Sequence, residues 1–215
     1  MEYQGPTTDD LANISALNRS FLAAVSDVGT GGFGAIAERR YSELQLSRLA
    51  GAPFLLFSFR EQEAEYWHRV LADDPQIDMV DSVGPPGEKI FQLQVAGLGF
   101  LWQLSRRNPY TARVVSGAPV SWCERLAGMT LVGLLDRAAS RDDLVRARFP
   151  DEDAIWRRLL GNGISAKRQV RLTSHHCALQ ALLTRGQQTQ YDRVPAAACN
   201  MQTPRQRQAP PHTPG

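Results

Sequence analysis

The chain has 215 residues, of which 43% are hydrophobic and 21% are charged. No apolar run approaches the ~20 residues that span a bilayer, so the composition predicts a soluble protein and excludes a membrane-spanning one. The N-terminus is acidic and polar and the three cysteines are scattered, which predicts no secretory signal peptide and a reducing, cytoplasmic location.

The net charge of +2 conceals two halves of opposite sign. Residues 1–95 contain 7 Lys or Arg against 14 Asp or Glu, a net charge of −7, and residues 96–215 contain 17 against 8, a net charge of +9. A basic half of this kind is compatible with contact to nucleic acid. It fits equally well with two like chains that meet acidic face to basic face. A solvated charged surface is the third interpretation.

Helical periodicity dominates the first part of the chain. Asp10 is expected to cap a helix over residues 11–27. Residues 29–34 have the G-x-G-x-x-G spacing of a phosphate-binding loop, but the segment before them has helical periodicity, so we predict an interhelical loop. Ser42 is expected to cap the next helix, which should end at Gly51.

That helix belongs to the densest apolar sequence of the chain, residues 41–67, which Gly51-Ala52-Pro53 interrupts once. A second helix is predicted from Pro53, with Arg60, Glu61 and Glu65 towards water. The run 54–59 is also compatible with a buried strand, since a short apolar run does not decide between the two. In a DNA-reading helix-turn-helix the second helix needs polar side chains, whereas this one suits a core or a subunit interface. The candidate oligomer-interface residues are Leu46, Leu49, Phe54, Phe57 and Phe59.

The clearest break in the chain is Gly84-Pro85-Pro86-Gly87. Residues 75–95 around it are either a domain linker or a small β-hairpin, because residues 77–80 and 90–95 alternate in strand fashion. Beyond the break, helices are predicted over residues 98–107, 110–116, 119–139, 151–160 and 170–184.

These elements predict a mainly α fold, a multi-helix orthogonal bundle with the option of one small β-hairpin near residues 76–95. The expected domains are a helical dimerisation segment at 1–74, a linker or hairpin at 75–95 and a basic helical domain at 96–186. Residues 187–215 are rich in Gln, Pro and Ala and are expected to form a disordered tail.

No group of residues has the spacing of a catalytic or metal-binding motif. Cys123 lies at a predicted helix start, which can lower a thiol pKa, but nothing specifies a base beside it. His175-His176-Cys177 lacks the second close pair of ligands typical of zinc sites, and adjacent histidines on a helix point about 100° apart. We therefore predict no enzyme activity, no catalytic residue, no metal and no cofactor.

Arginines are the remaining candidates, because phosphate contact needs no particular motif. Most of them, including Arg146 and Arg148, belong to the basic half. The candidate DNA-binding residues are Arg106, Arg107, Arg113, Arg157, Arg158, Lys167, Arg168 and Arg171.

Two short patterns in the first third of the chain resemble a known family. Ala16-Leu17-Asn18-Arg19-Ser20-Phe21-Leu22 is similar to a Leu-Asn-x-Ser-Tyr-Leu pattern in that family's first helix. Residues 44–50 followed by 55–60 are similar to its Leu-Ala and an apolar run that ends in Phe-Arg. The family is the FlhD subunit of the bacterial flagellar transcriptional activator, and the resemblance covers residues 11–74. The glycine-rich loop and residues 96–215 have no counterpart in it.

The resemblance implies a mainly helical regulator that dimerises and works with a partner subunit at promoters. In that family the zinc cysteines belong to the partner. The predicted function is therefore a helical, FlhD-like transcriptional regulator, acting at DNA as a homodimer or with a heteromeric partner subunit, and no membrane partner is expected. The alternative is a protein–protein adaptor with no nucleic-acid role.

Overall fold

Nine helices and one two-stranded sheet form the described part of the chain. The structure is a computed structural model and describes residues 5–28, 41–72, 88–139, 141, 143–150 and 152–191. In chain order the elements are α1 (Thr8–Val28), α2 (Glu43–Ala50), β1 (Phe57–Ser58), α3 (Ala64–Ala72), α4 (Glu88–Arg107), α5 (Pro109–Ser116), α6 (Val120–Ala127), α7 (Leu131–Ala139), β2 (Arg146–Ala147), α8 (Asp153–Gly161) and α9 (Arg168–Tyr191). The predicted fold class, a mainly α bundle with one small β element, is confirmed.

Local signals fix several helix ends. Ser42 caps α2 as predicted, and it exchanges hydrogen bonds with Gln45 in a capping box. The Asn108 side chain accepts from two backbone N–H groups at the start of α5. Gly117 ends α5 with a φ of +70°, a left-handed conformation that favours glycine. At α1 the predicted cap is wrong, because Thr7 caps the helix and Asp10 accepts hydrogen bonds from the Thr7 N–H and hydroxyl.

Helix α4 is the central element of the bundle and packs against α1, α5, α6 and α7. A Cβ on its Gly97 would lie 2.6 Å from the Phe59 ring, so the absence of a side chain there lets the chain around β1 lie against the helix. One hydrophobic core includes residues from Ile14 of α1 to Leu182 of α9. The core therefore contains side chains from both predicted domains, 1–74 and 96–186.

The small sheet is not at the predicted position. Residues 90–95 belong to α4, because their apolar side chains continue the helical face, and residues 77–80 and 84–87 lie outside the described residues. Strand β1 pairs instead with β2 in antiparallel fashion, Phe57 opposite Ala147 and Ser58 opposite Arg146. The glycine-rich loop at 29–34 also lies outside the described residues.

Two further helix boundaries differ from those predicted. The single helix predicted over 119–139 is two helices, α6 and α7, because Gly128 ends α6 and residues 128–130 separate them. The last helix continues past Gly186 to Tyr191, so it enters the predicted disordered tail, of which residues 192–215 lie outside the described residues.

The predicted second helix from Pro53 is wrong over its first part. Residues 53–61, which we call the β1 segment, are not helical, and the helix begins only at Ala64. Every residue from 54 to 57 is fully buried, as is Phe59. Glu61, expected towards water, is buried as well. The alternative of a buried strand describes this segment better, since an extended chain between packed layers can bury side chains on both of its faces.

A buried non-helical segment needs hydrogen-bond partners for its backbone, and Asn18 of α1 supplies two of them, with a third hydrogen bond to the end of α2. The Asn18 Nδ2 donates to the carbonyl oxygens of Ala50 (3.2 Å) and Phe54 (2.9 Å). Its Oδ1 accepts from the Leu56 N–H at 2.8 Å. A single buried amide side chain therefore holds the β1 segment against α1.

Arg148, just after β2, satisfies the other side of the β1 segment. Its guanidinium donates to the carbonyl oxygens of Leu55 and Phe57. The same group faces the buried Glu61 carboxylate with two N···O distances of 3.1 Å. The Arg148 N–H also donates to the Leu56 carbonyl at 2.9 Å. This paired arginine is therefore part of the core.

Candidate nucleic-acid interface

Five of the eight predicted DNA-binding residues lie together where α8 turns into α9. We call residues 157–171 the α8–α9 corner. The two helices contact each other there: the Ser174 hydroxyl donates to the Arg158 carbonyl at 3.1 Å, and Arg171 Nη1 donates to the Ser165 carbonyl at 2.8 Å. The corner thus comprises the end of α8, the short turn after it and the start of α9, and the two helices pack against each other there.

The cations of the corner lack acidic partners in the part of the chain that the structure describes. Arg157, Arg158, Lys167 and Arg168 are exposed, and Arg171 is half-buried. Among the described residues no carboxylate forms an ion pair with any of the five. Like charges that are not neutralised raise the local positive potential and attract polyanions.

Arg48 of α2 brings a further positive charge to the corner, with its Nη1 3.4 Å from the Ile164 carbonyl. Sequence reasoning missed Arg48 because it lies in the acidic half, more than 100 residues from the turn it contacts. It also missed a signal that was present: residues 154–191 contain no Asp or Glu. An acid-free run of that length, with several arginines, indicates a basic surface more sharply than the charge of a whole half.

The other three candidates lie on α4 and α5. Arg107 forms an ion pair with Asp10, and Arg106 lies over the Trp102 ring at 4.9 Å from its centroid. Arg113 is half-buried on α5. Burial of Asp10 opposes its ionisation, but hydrogen bonds from the Thr7 N–H, the Arg107 guanidinium and the Thr7 hydroxyl hold its pKa below the usual value. Arg107 thus has a carboxylate partner, whereas the arginines of the corner have none among the described residues.

Two further arginines of the basic half serve the fold. Arg148 is buried against Glu61, and Arg146 lies 3.9 Å from the Glu63 carboxylate. The sequence could not distinguish Arg146 and Arg148 from the arginines of the corner, because all of them lie in the same basic half.

The predicted oligomer-interface residues lie mostly inside the chain. Leu49, Phe54, Phe57 and Phe59 are fully buried in a single copy, and Leu46 is half-buried at the edge of the core. Phe57 packs against Phe21 and Phe59, each at 5.4 Å between ring centroids. Of the five, only Leu46 has surface left to offer a partner.

His175 is a buried polar residue of α9, four residues beyond the corner. No partner for its Nε2 is present among the described residues, while a backbone hydrogen bond with Gly163 engages the ring. Burial, with smaller contributions from the Arg171 and His176 charges, lowers its pKa to about 4. The imidazole is therefore neutral at pH 7.

Cys123 does not have the lowered thiol pKa that a helix start can give. Burial raises its pKa to about 12, so the thiol is protonated at neutral pH.

A pocket of about 420 Å³ between α1 and α4 has Leu17, Ser20, Lys89 and Gln92 in its wall. In the described part of the chain, no three His, Cys, Asp or Glu residues are grouped as metal ligands.

Comparisons with models of protein families, with curated proteins and with solved structures find no match to this chain. The resemblance to FlhD therefore stays a prediction. Within the described ranges no helix is both long and apolar enough to cross a bilayer.

Proposed function

We propose that this chain is a helical transcriptional regulator that contacts DNA through the α8–α9 corner, as a dimer or with a partner subunit. The observation that carries the proposal is the set of five cations at the corner, which lack carboxylate partners among the described residues. Phosphate contact by Lys and Arg supplies most of the affinity of non-specific DNA binding. The start of α9 adds the partial positive charge of a helix N-terminus, which favours an anion.

The role as a regulator comes from the FlhD resemblance of residues 11–74. That resemblance also supplies the expectation of a partner subunit. Exposed apolar side chains are compatible with a partner subunit. Leu44 on α2 is 61% exposed, and Val132 on α7 is 69% exposed. The same exposed residues favour the second candidate function, a protein–protein adaptor without a nucleic-acid role.

Salt dependence of DNA binding tests the proposal. The full chain is titrated against a fluorescent duplex of mixed sequence at about 50 and 200 mM salt, and anisotropy gives the affinity. We expect binding that weakens steeply with salt. The variant K167A/R168A should bind more weakly at both salt concentrations, with a log–log salt slope smaller by about 1 to 2.

Arg19 on α1 provides the matched control, because it is an exposed arginine in the acidic half. Arg19→Ala should leave both the affinity and the salt slope unchanged. Absence of duplex binding at the lower salt concentration, or an equal effect of the Arg19 and corner substitutions, contradicts the proposal. Co-purification of a stable protein partner that nuclease treatment does not release, together with absent DNA binding, would favour the adaptor.

A further inference from the structure

The outward face of α9 carries a row of polar side chains, none of which belongs to Lys, Arg, Asp or Glu. Gln169, Thr173, His176 and Gln180 are all exposed and follow one another at intervals of four, three and four residues. This spacing places them on one side of a helix. The row begins next to the cations of the corner, since Gln169 follows Arg168 directly.

The opposite face of α9 is fixed to the rest of the molecule. Ser174, His175, Ala178 and Leu182 are buried. Leu182 packs so closely against Gly117 that a Cβ on that glycine would lie 2.3 Å from the Leu182 side chain. The helix is thus held by α8 at Ser174 and by the end of α5 at Leu182, about two turns further on, and its polar face lies on the opposite side.

The composition of the row is unlike that of an ordinary solvated helix face. Such faces often carry oppositely charged pairs three or four residues apart. A face that packs on another protein usually places apolar side chains at its centre. The row on α9 has neither, because it contains no Lys, Arg, Asp or Glu and each of its members can donate or accept hydrogen bonds. Val170 and Leu172, both partly exposed, lie only at its edges.

We propose that this row, Gln169, Thr173, His176 and Gln180, reads base edges in the major groove of duplex DNA while the corner cations hold the phosphates. The inference rests on the proposed function and adds sequence selectivity to it. Gln pairs with adenine through two hydrogen bonds, and Thr contacts a base edge or the thymine methyl group. The positive charge beside the row complements the phosphates that flank the groove.

The dimensions of the row on α9 agree with binding in the major groove of duplex DNA. At 1.5 Å per residue the row is about 16 Å long, and a helix of about 10–12 Å diameter fits the major groove, which is about 12 Å wide. With a rise of about 3.4 Å per base pair, the row spans about five base pairs. Double-stranded RNA does not admit a helix in the same way, since its major groove is deep and narrow.

In vitro selection from a randomised duplex library tests the readout. The full chain is used, and the wild type is compared with Q169A/H176A and with the control Gln103→Ala, an exposed glutamine on α4. All three should fold alike, because alanine favours helices and the substituted residues are exposed. Circular dichroism and thermal unfolding check this.

The wild type and the control should enrich the same motif of about five base pairs. The double variant should bind the selected duplex about ten-fold or more weakly and enrich a relaxed motif, while its affinity for unselected duplex at low salt changes less than about two-fold. Enrichment of no motif by a wild type that does bind duplex overturns the readout and leaves salt-dependent binding intact. Loss of all duplex binding at low salt overturns both proposals. In a competition experiment, an RNA hairpin and unselected DNA are each added to the complex with the selected duplex. If the RNA hairpin displaces that duplex at a lower concentration than unselected DNA does, the ligand of the row is not duplex DNA.

Discussion

Arginine side chains have opposite roles in the β1 segment and in the α8–α9 corner. At the β1 segment, Arg148 is buried and its donors meet the Leu55 and Phe57 carbonyls and the Glu61 carboxylate. At the corner, Arg157, Arg158 and Arg168 are exposed and have no carboxylate partner among the described residues. A buried charge must be paired because its desolvation is unfavourable. An exposed charge can be left for a ligand, since water solvates it in the free protein.

The largest effect is expected from Arg148→Met. The substitution leaves the Glu61 charge buried without its partner and two backbone carbonyls without donors, so the free energy of unfolding should fall by about 3–5 kcal/mol. Arg168→Met at the corner should change it by less than about 0.5 kcal/mol. Urea denaturation followed by circular dichroism measures both.

The pair itself is tested by a second variant, R148M/E61L, which removes both charges. It should be more stable than R148M alone by about 1 kcal/mol or more, because no uncompensated charge remains in the core. If R148M also fails to fold, recovery of folded protein in R148M/E61L gives the same answer. Equal losses of stability in R148M and R168M would contradict the distinction between the two regions.

His175 extends the contrast to a histidine, because it is a buried polar group on α9 just beyond the exposed arginines of the corner. Its pKa is about 4 in the folded protein, against an ordinary value of 6.5, so the unfolded chain binds a proton more readily. Stability from this group is therefore complete above pH 6.5 and is lost progressively as the pH falls from 6.5 towards 4. A buried group beside the corner thus resists protonation.

Urea denaturation at pH 7 and pH 5 measures the effect of His175. The wild type should lose on the order of 1 kcal/mol more stability between these pH values than His175→Gln, which does not titrate. His176, exposed on the same helix, is the matched control, and His176→Gln should follow the wild type. A His175→Gln variant with the pH dependence of the wild type would show that the buried imidazole does not resist protonation.

The sequence predicted those features whose causes are local. The cap of α2 by Ser42, the start of α5 after Asn108 and its end at Gly117 each depend on one residue and its near neighbours. The β1 segment was predicted as a helix because its partners are remote. Asn18 lies 36 residues from Phe54, and Arg148 lies 93 residues from Leu55. Hydrogen bonds over such separations leave no periodicity in the sequence.

The sequence predicted that the candidate site is basic, but it did not predict which residues belong to the site. The charge split between the two halves indicated a basic surface, and the corner holds five of the eight residues named from it. Which arginines are exposed depends on tertiary packing, so Arg148 and Arg158 look alike in sequence although one is buried and one is exposed. Arg48 was missed for the same reason, because only the fold brings α2 to the corner.

The effect on stability expected at Arg107 is smaller than that at Arg148, and Arg107 separates the two uses of arginine among the DNA-binding candidates. Its partner Asp10 is buried while Arg107 itself is about half exposed, so Arg107→Gln should lower the free energy of unfolding by no more than about 1 kcal/mol. Because this arginine is already paired within the chain, the variant should bind mixed-sequence duplex as the wild type does. Arg168→Gln should do the reverse, with unchanged stability and weaker binding. Urea denaturation and fluorescence anisotropy on the two variants compare them directly. A loss of DNA affinity in Arg107→Gln as large as that in Arg168→Gln would extend the phosphate-binding surface from the corner to the end of α4.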